Sequence, residues 1–239
     1  MTKYLIMMIL IASAFTSAWS LSIYDIQYTT FPGSDNTYPS LYAGKSVSTE
    51  GIVTAVDYKS GGFFISEVLA GPYSGILVVD RRSDIQVGDL IRLTGVVQES
   101  FGMTTLQDVS ALSILERKHP LPRPVNLTTA QLSHAVEAEA YEGVYARIQG
   151  AGSTGRKSSA NRIIVSDGTS PCSVILGSFA GFNYKAAAKS NAQYSSITGI
   201  VTFSFGEFSL NPVNNSDIEV NQPVSVQNRS WGKIKSIYK

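Results

Sequence analysis

Metal-dependent hydrolysis of a phosphodiester needs carboxylates around a cation and usually a histidine base beside them. This chain of 239 residues has 2 histidines, His119 and His134. The first stands next to a proline-rich stretch and the second in a segment of helical composition. Neither has a partner at ligand spacing, so both read as surface histidines. Asp80, Asp84 and Asp89 gather around Arg81 and Arg82. Their spacing departs from an EF-hand loop and lacks its glycine, which leaves a solvated turn with local charge pairs. There is no Gly-x-Ser-x-Gly elbow, HExxH zinc pair or phosphate-binding loop. The single cysteine, Cys172, lies in the apolar run 171–176, where a buried inert thiol is expected and an intramolecular disulfide is impossible. The expectation is a protein without catalytic residues, metal or cofactor.

What remains is a set of rings beside cations. Tyr58 and Lys59 fall in a loop, and Phe64 follows on the strand face opposite Phe63 and Ile65. Phe101 falls in a later loop of the same half. In the second half Arg156, Lys157, Asn161 and Arg162 flank the first loop, and Phe203, Phe205 and Phe208 surround the later one. Rings next to basic side chains stack bases or sugar rings. Packing inside a sheet is the commoner use of an aromatic in a strand, so each residue competes with that reading. The candidate ligand-binding set is Tyr58, Lys59, Phe64, Phe101, Arg156, Lys157, Arg162 and Phe205.

Alternation and turn residues give the elements that must carry these side chains. Five strands are predicted in the first half, at 46–56, 63–67, 75–79, 90–98 and 104–109. Five more follow at 145–150, 162–166, 171–176, 195–202 and 207–210, with a helix-forming stretch at 183–189 between the third and fourth. The two halves share a spaced motif. Leu93-Thr94-Gly95-Val96-Val97, then Ser100-Phe101-Gly102 and Leu106, matches Ile197-Thr198-Gly199-Ile200-Val201, then Ser204-Phe205-Gly206 and Leu210. Its spacing is identical in both copies, so the repeating unit is a whole domain. Five strands with a helix between the third and fourth is the order of the OB-fold, a small Greek-key barrel whose long first strand bends at a glycine. Gly51 stands where that bend belongs. A β-sandwich is the alternative, although seven strands per copy are hard to find.

The expected architecture is all-β: two tandem OB-fold-like five-stranded Greek-key barrels, at 21–116 and 141–220. Between them lies a linker, 117–140, with stiff extended prolines at 120–124 and a short helix over 130–139 capped by Thr128 or Thr129. A leader occupies 1–20. Lys3 precedes an apolar run at 4–15, and Ser17, Ala18 and Ser20 follow, the order of a secretory signal cut after Ala18 or Ser20. The run is shorter than the roughly 20 apolar residues of a membrane span. The mature protein is therefore expected outside the membrane, extracellular or periplasmic.

The stretch that includes Thr49-Glu50-Gly51-Ile52-Val53, Gly62-Phe63-Phe64-Ile65, Val87-Gly88-Asp89 and Leu93-Thr94-Gly95 resembles OB-fold domains that accompany the catalytic domain of secreted bacterial endonucleases and exonucleases. The likeness runs over about residues 22–116 and weakens in the second copy, where Asn191-Ala192-Gln193 replaces Val-Gly-Asp. It implies an accessory role, binding nucleic acid or positioning an enzyme, here without the enzyme.

Charge distribution narrows the partners. Residues 21–116 carry 5 basic and 11 acidic side chains, a poor match for non-specific DNA binding, whereas residues 221–239 carry 4 basic and no acidic ones. In that tail Trp231, Ile234 and Ile237 recur at intervals of three, a pattern that suits docking on the acidic barrel, an anionic surface or a sorting partner. The leading expectation is a secreted, non-catalytic binding module for single-stranded nucleic acid or a glycan, with Arg156 and Lys157 prominent. Its rival is a structural or protein-interaction module, and an uncharacterised hydrolase is a distant third.

Overall fold

Strand β2 (Ser46–Tyr58) is long enough to serve two neighbours, and that length closes the first sheet on itself. The computed structural model describes residues 19–33, 37–59, 61–82, 84–155, 161–180, 192–204 and 206–221. The first half of β2 pairs with β5 (Leu90–Ser100), and the second half pairs with β3 (Gly62–Ser66). Gly51 sits at the handover. A β-carbon there would lie 3.0 Å from Ile65 Cβ and 3.1 Å from the Ser66 carbonyl, so the bend needs a residue without one. Strand β4 (Gly75–Val78) then pairs antiparallel with β3 and parallel with β6 (Met103–Glu116), which returns to β5. Read around the closed circuit, the order is first, second, third, fifth, fourth, the OB-fold order. A two-residue strand β1 (Trp19–Ser20) adds in parallel to β2.

The second sheet repeats this order with β8 (Tyr145–Gln149), β10 (Arg162–Ser166), β11 (Cys172–Ile175), β12 (Tyr194–Ser204) and β13 (Glu207–Asn211). Strand β9 (Gly152–Ser153), which follows β8 in sequence, pairs with β10 and forms the end of this sheet. Short strands β7 (Val125–Asn126) and β14 (Ile218–Val220) border β8 and β12. The glycine shared by the two sequence motifs has one physical reason in both places. At Gly95 a β-carbon would meet the Gln107 carbonyl at 3.0 Å, and at Gly199 it would collide with the Asn211 carbonyl.

Each sheet encloses its own core. Phe63, Ile65, Ile76, Val78, Ile91, Leu93 and Leu106 fill the first, joined by Ile23 and Ile26 of helix α1 (Ile23–Gln27). That helix begins with a reciprocal cap: Ser22 Oγ accepts from the Asp25 amide, and the Asp25 carboxylate accepts from the Ser22 amide. Val165, Val174, Leu176, Tyr194, Ile197, Val201 and Leu210 fill the second. Each such side chain stabilises the fold by roughly 1.5–3 kcal/mol relative to exposure.

The linker departs from expectation. Two short helices, α2 (Thr129–Ser133) and α3 (Ala135–Glu139), break at His134 in place of one continuous helix, although Thr128 caps the first as the sequence suggests. The prolines do not hold the barrels apart. A third apolar cluster, built from Ala55, Tyr58, Phe64, Leu77 and Met103 of the first sheet and Phe179 and Ile200 of the second unit, packs them together. Backbone bonds reinforce it, from Lys59 to the Ser178 carbonyl (3.0 Å) and from Tyr73 to the Ala140 carbonyl (2.6 Å). Among the described residues no helix is long and apolar enough to cross a membrane. Residues 1–18 of the leader expected at 1–20, the helix expected at 183–189 and residues 222–239 of the tail expected at 221–239 lie outside the described residues.

Candidate functional site

OB-folds bind ligands across their second and third strands, between the loops joining strands one to two and four to five. In the first barrel these parts border one groove of about 970 Å³. Its floor is Leu77 of β4 and Met103 of β6, both buried, with Val79 half open to solvent. Lys59 and Gly61 come from the loop after β2, Arg81 from the segment after β4, and Phe101 from the β5–β6 hairpin. Phe203, Ser204 and Gly206 of the β12–β13 hairpin form a wall that belongs to the other barrel. A smaller recess of about 280 Å³ shares Gly61, Gly62, Asp80 and Arg81 and extends the groove toward Arg82 and Asp57.

Phe101 is the most telling side chain in the groove. Its ring is 97% exposed, at the tip of a tight hairpin where Phe101 and Gly102 both have positive φ (55° and 83°). Such two-residue turns favour Asn, Asp or Gly at the first position, and a bulky side chain there is strained. An exposed ring adds nothing to the core, so neither local backbone preference nor packing accounts for phenylalanine here. Observed strain of this kind is where functional residues concentrate. Lys59 also has positive φ (45°), and its ammonium lies 5.0 Å from the centre of the Tyr58 ring, which leaves the charge at the groove edge.

The charges around the groove divide into neutralised and available ones. Arg82 pairs with Asp80 at 2.9 Å. Arg81 has no ion pair among the described residues, and its chain crosses Gly61, where a β-carbon would come within 3.4 Å of its Nε. Lys59 and Arg81 therefore offer two cations beside an exposed ring and an apolar floor.

The structure brings together three of the sequence candidates, Tyr58, Lys59 and Phe101, and separates two others. Phe64 is not ligand-facing: it is fully buried, 5.0 Å from the Tyr58 ring and 6.2 Å from the Phe179 ring. The alternation that puts Phe63 inside the barrel and Phe64 outside is correct, but the second unit covers that outer face. For the same reason Tyr58 is 6% exposed and reaches the groove as lining. Arg162 lies on the second sheet, paired with Glu207, with its Nε buried. Arg156, Lys157 and Phe205 lie outside the described residues. Arg81 lines the groove although it was not among the sequence candidates, because its neighbourhood of alternating charges reads as a self-paired turn.

Of the features set aside on sequence grounds, Asp80 and Arg81 of the acidic turn line the groove, whereas the histidine His134, Cys172 and Asp89 stay apart from it. His134 is exposed beside Glu137, and no group of three or more histidine, cysteine or acidic side chains with metal-holding geometry occurs among the described residues. Burial, and secondarily Asp167, pushes the Cys172 thiol up to about 12. Asp89 of the Val-Gly-Asp motif is a structural residue. It is 1% exposed, accepts from the Gln86 amide and pairs with Arg117 at 3.0 Å.

No family model matches this chain, and no curated protein matches it. Solved structures that resemble it include the Ifi202 HINa domain in complex with a 20-bp double-stranded DNA, at 12% identity over 75% of this chain and 96% of that one, with a TM-score of 0.35. A murine DNA-binding protein bound with double-stranded DNA gives 11% identity over 74% and 97%, with a TM-score of 0.37. The p204 HINb domain gives 12% over 72% and 95%, with a TM-score of 0.33. Likeness at this level carries no weight for what the groove binds.

Proposed function

We propose that this protein is a non-catalytic, exported binding module that takes a short single-stranded nucleic acid in the groove of its first barrel. The observation that carries the reading is Phe101, a fully exposed ring in a strained turn beside Lys59 and Arg81. A ring available on its face stacks an unpaired base, and cations at the groove edge meet the phosphates on either side. Duplex DNA offers no free base faces, so a single strand is the better partner. The excess of acidic side chains in the first barrel limits phosphate contacts to these few and implies weak, local binding. The leader at 1–20, and the likeness of residues 22–116 to accessory domains of secreted nucleases, support export and a role alongside a separate enzyme. The basic tail suits attachment to an anionic surface or a sorting partner.

The same acidic excess favours a second reading, in which the groove's apolar floor receives a protein segment and the pair of barrels acts as an interaction module. Fluorescence anisotropy with a labelled 12-nucleotide thymidine strand, its duplex and a neutral oligosaccharide decides between them. Single-strand binding should weaken about 5- to 150-fold in Phe101→Ala, the range for one lost stacking contact. Replacing Lys59 and Arg81 by Ala should reduce the salt slope by roughly 1.4, two single-strand phosphate contacts. Equal affinity of Phe101→Ala and wild type overturns the nucleic-acid reading. Binding of the oligosaccharide alone moves the ligand to glycans.

A further inference from the structure

Where the linker meets the first barrel, three carboxyl groups from separate elements converge. Glu142, in the turn after α3, is 3% exposed; its Oε1 accepts from the Thr104 amide at 2.9 Å, and its Oε2 is buried without a hydrogen-bond partner. Glu99, near the end of β5, accepts from the Thr104 hydroxyl at 3.0 Å and from the Ser40 amide at 2.9 Å. One threonine thus holds a carboxylate from each side of the joint. Glu139, the last residue of α3, is close enough to raise the proton affinity of Glu142 and of Tyr73. The residue after Glu142 is Gly143, whose backbone lies against that of Gly75 in the first barrel.

We propose that Glu99, Glu139 and Glu142 form a proton-dependent latch that fastens the two barrels in acid and loosens the joint as pH rises. Three carboxylates around one buried point cannot all ionise without mutual repulsion, and the repulsion is directed across the joint. Among the described residues, the titratable groups facing the cluster are Tyr73, ahead of β4, the tyrosines around it (Tyr24 of α1, Tyr28 just after that helix, and Tyr141), and the carboxyls themselves. Among the described residues, no Lys, Arg or His is an electrostatic partner of Glu139 or Glu142. Burial, then Glu99, raises Glu139 to about 8; burial, then Glu139, raises Glu142 well above the carboxylate range against the Thr104 bond. Carboxyls raised in this way hold more protons folded than unfolded. Their contribution is complete below the ordinary carboxylate range and fades as pH climbs toward 8.

The latch is independent of any ligand, so the test uses the free protein. Thermal melting and small-angle X-ray scattering are recorded from pH 5 to pH 9 for wild type, Glu142→Gln, Glu139→Gln and the exposed control Glu137→Gln. Wild type should lose several degrees of melting temperature, at about 2–4 °C per kcal/mol for a chain of this size, and its radius of gyration should grow with pH. Glu139→Gln, at the half-buried position, should flatten both profiles even if Glu142→Gln folds poorly, and Glu137→Gln should leave them as in wild type. A flat wild-type profile, or an unchanged profile in Glu139→Gln, overturns the latch. So does a melting change with no change in scattering, which confines the effect to one barrel. A rise in melting temperature with added calcium at pH 8 overturns it too, making the cluster a cation site.

Discussion

Gly75 and Gly143 meet backbone to backbone across the joint between the barrels, and a β-carbon on Gly143 would lie 2.7 Å from the Gly75 carbonyl oxygen. Neither position leaves room for a side chain. Gly143 also has φ of 71°, in the left-handed region. Gly143→Ala should therefore cost about 2–5 kcal/mol, the sum of overpacking and left-handed strain. Urea unfolding measures it. A loss below about 0.5 kcal/mol would show that the barrels separate easily.

Phe63 and Phe64 occupy different cores, one inside the barrel and one between the barrels. Both Phe63→Ala and Phe64→Ala should destabilise by about 3–5 kcal/mol. A melt in which Phe64→Ala matches wild type would contradict the packing of Phe64 against Tyr58 and Phe179.

Phe101→Asn separates stability from function. Asparagine suits the left-handed first position of the hairpin, so the variant should be more stable by about 0.5–1 kcal/mol while losing single-strand affinity. Guanidinium unfolding and anisotropy on the same preparation test both halves. A destabilised Phe101→Asn would mean that the ring packs in solution and is not held out for a ligand.

At low pH Asp167 should govern a separate transition. Burial raises its proton affinity, but hydrogen bonds from Thr169 and Thr129 outweigh burial and lower its pKa to about 2. It ties the start of α2 to the β10–β11 turn, accepting from the Thr129 amide at 3.0 Å and hydroxyl at 2.7 Å. A carboxylate lowered by folding contributes stability above its unfolded pKa, and that contribution is lost as pH falls through about 2. Asp167→Asn should flatten the acid limb of a melting profile between pH 4 and pH 2. An acid limb identical to wild type would assign the transition to other carboxylates.

Local patterns made the barrels legible in the sequence. Strands at 46–56 and 90–98 announce themselves by alternation, and Gly51 and Gly95 mark places where another strand comes too close for a side chain. Strand 162–166 is found with the bounds expected. The candidate site was legible only where it depends on a single barrel: Lys59 and Phe101 follow from loop positions in the OB order. Phe64 was misread because alternation tells which face a residue takes but not what covers that face. Phe179, more than one hundred residues away, covers it. Arg81 was hidden for a related reason, since the pairing of Asp80 with Arg82 and not with Arg81 is a fact of three-dimensional geometry. The break at His134 and the α1 cap at Ser22 involve too few residues for periodicity to reveal.

The apolar cluster shared by the barrels bears on whether either half can exist alone. Severed after residue 116, the first barrel would present Ala55, Tyr58, Phe64, Leu77 and Met103 to water as one contiguous greasy surface. A patch of that kind drives self-association, so a fragment cut at the apparent domain boundary should precipitate or oligomerise even with its own core intact. During synthesis the same surface is bare until Phe179 and Ile200 have emerged, and the nascent first half needs shielding for that interval.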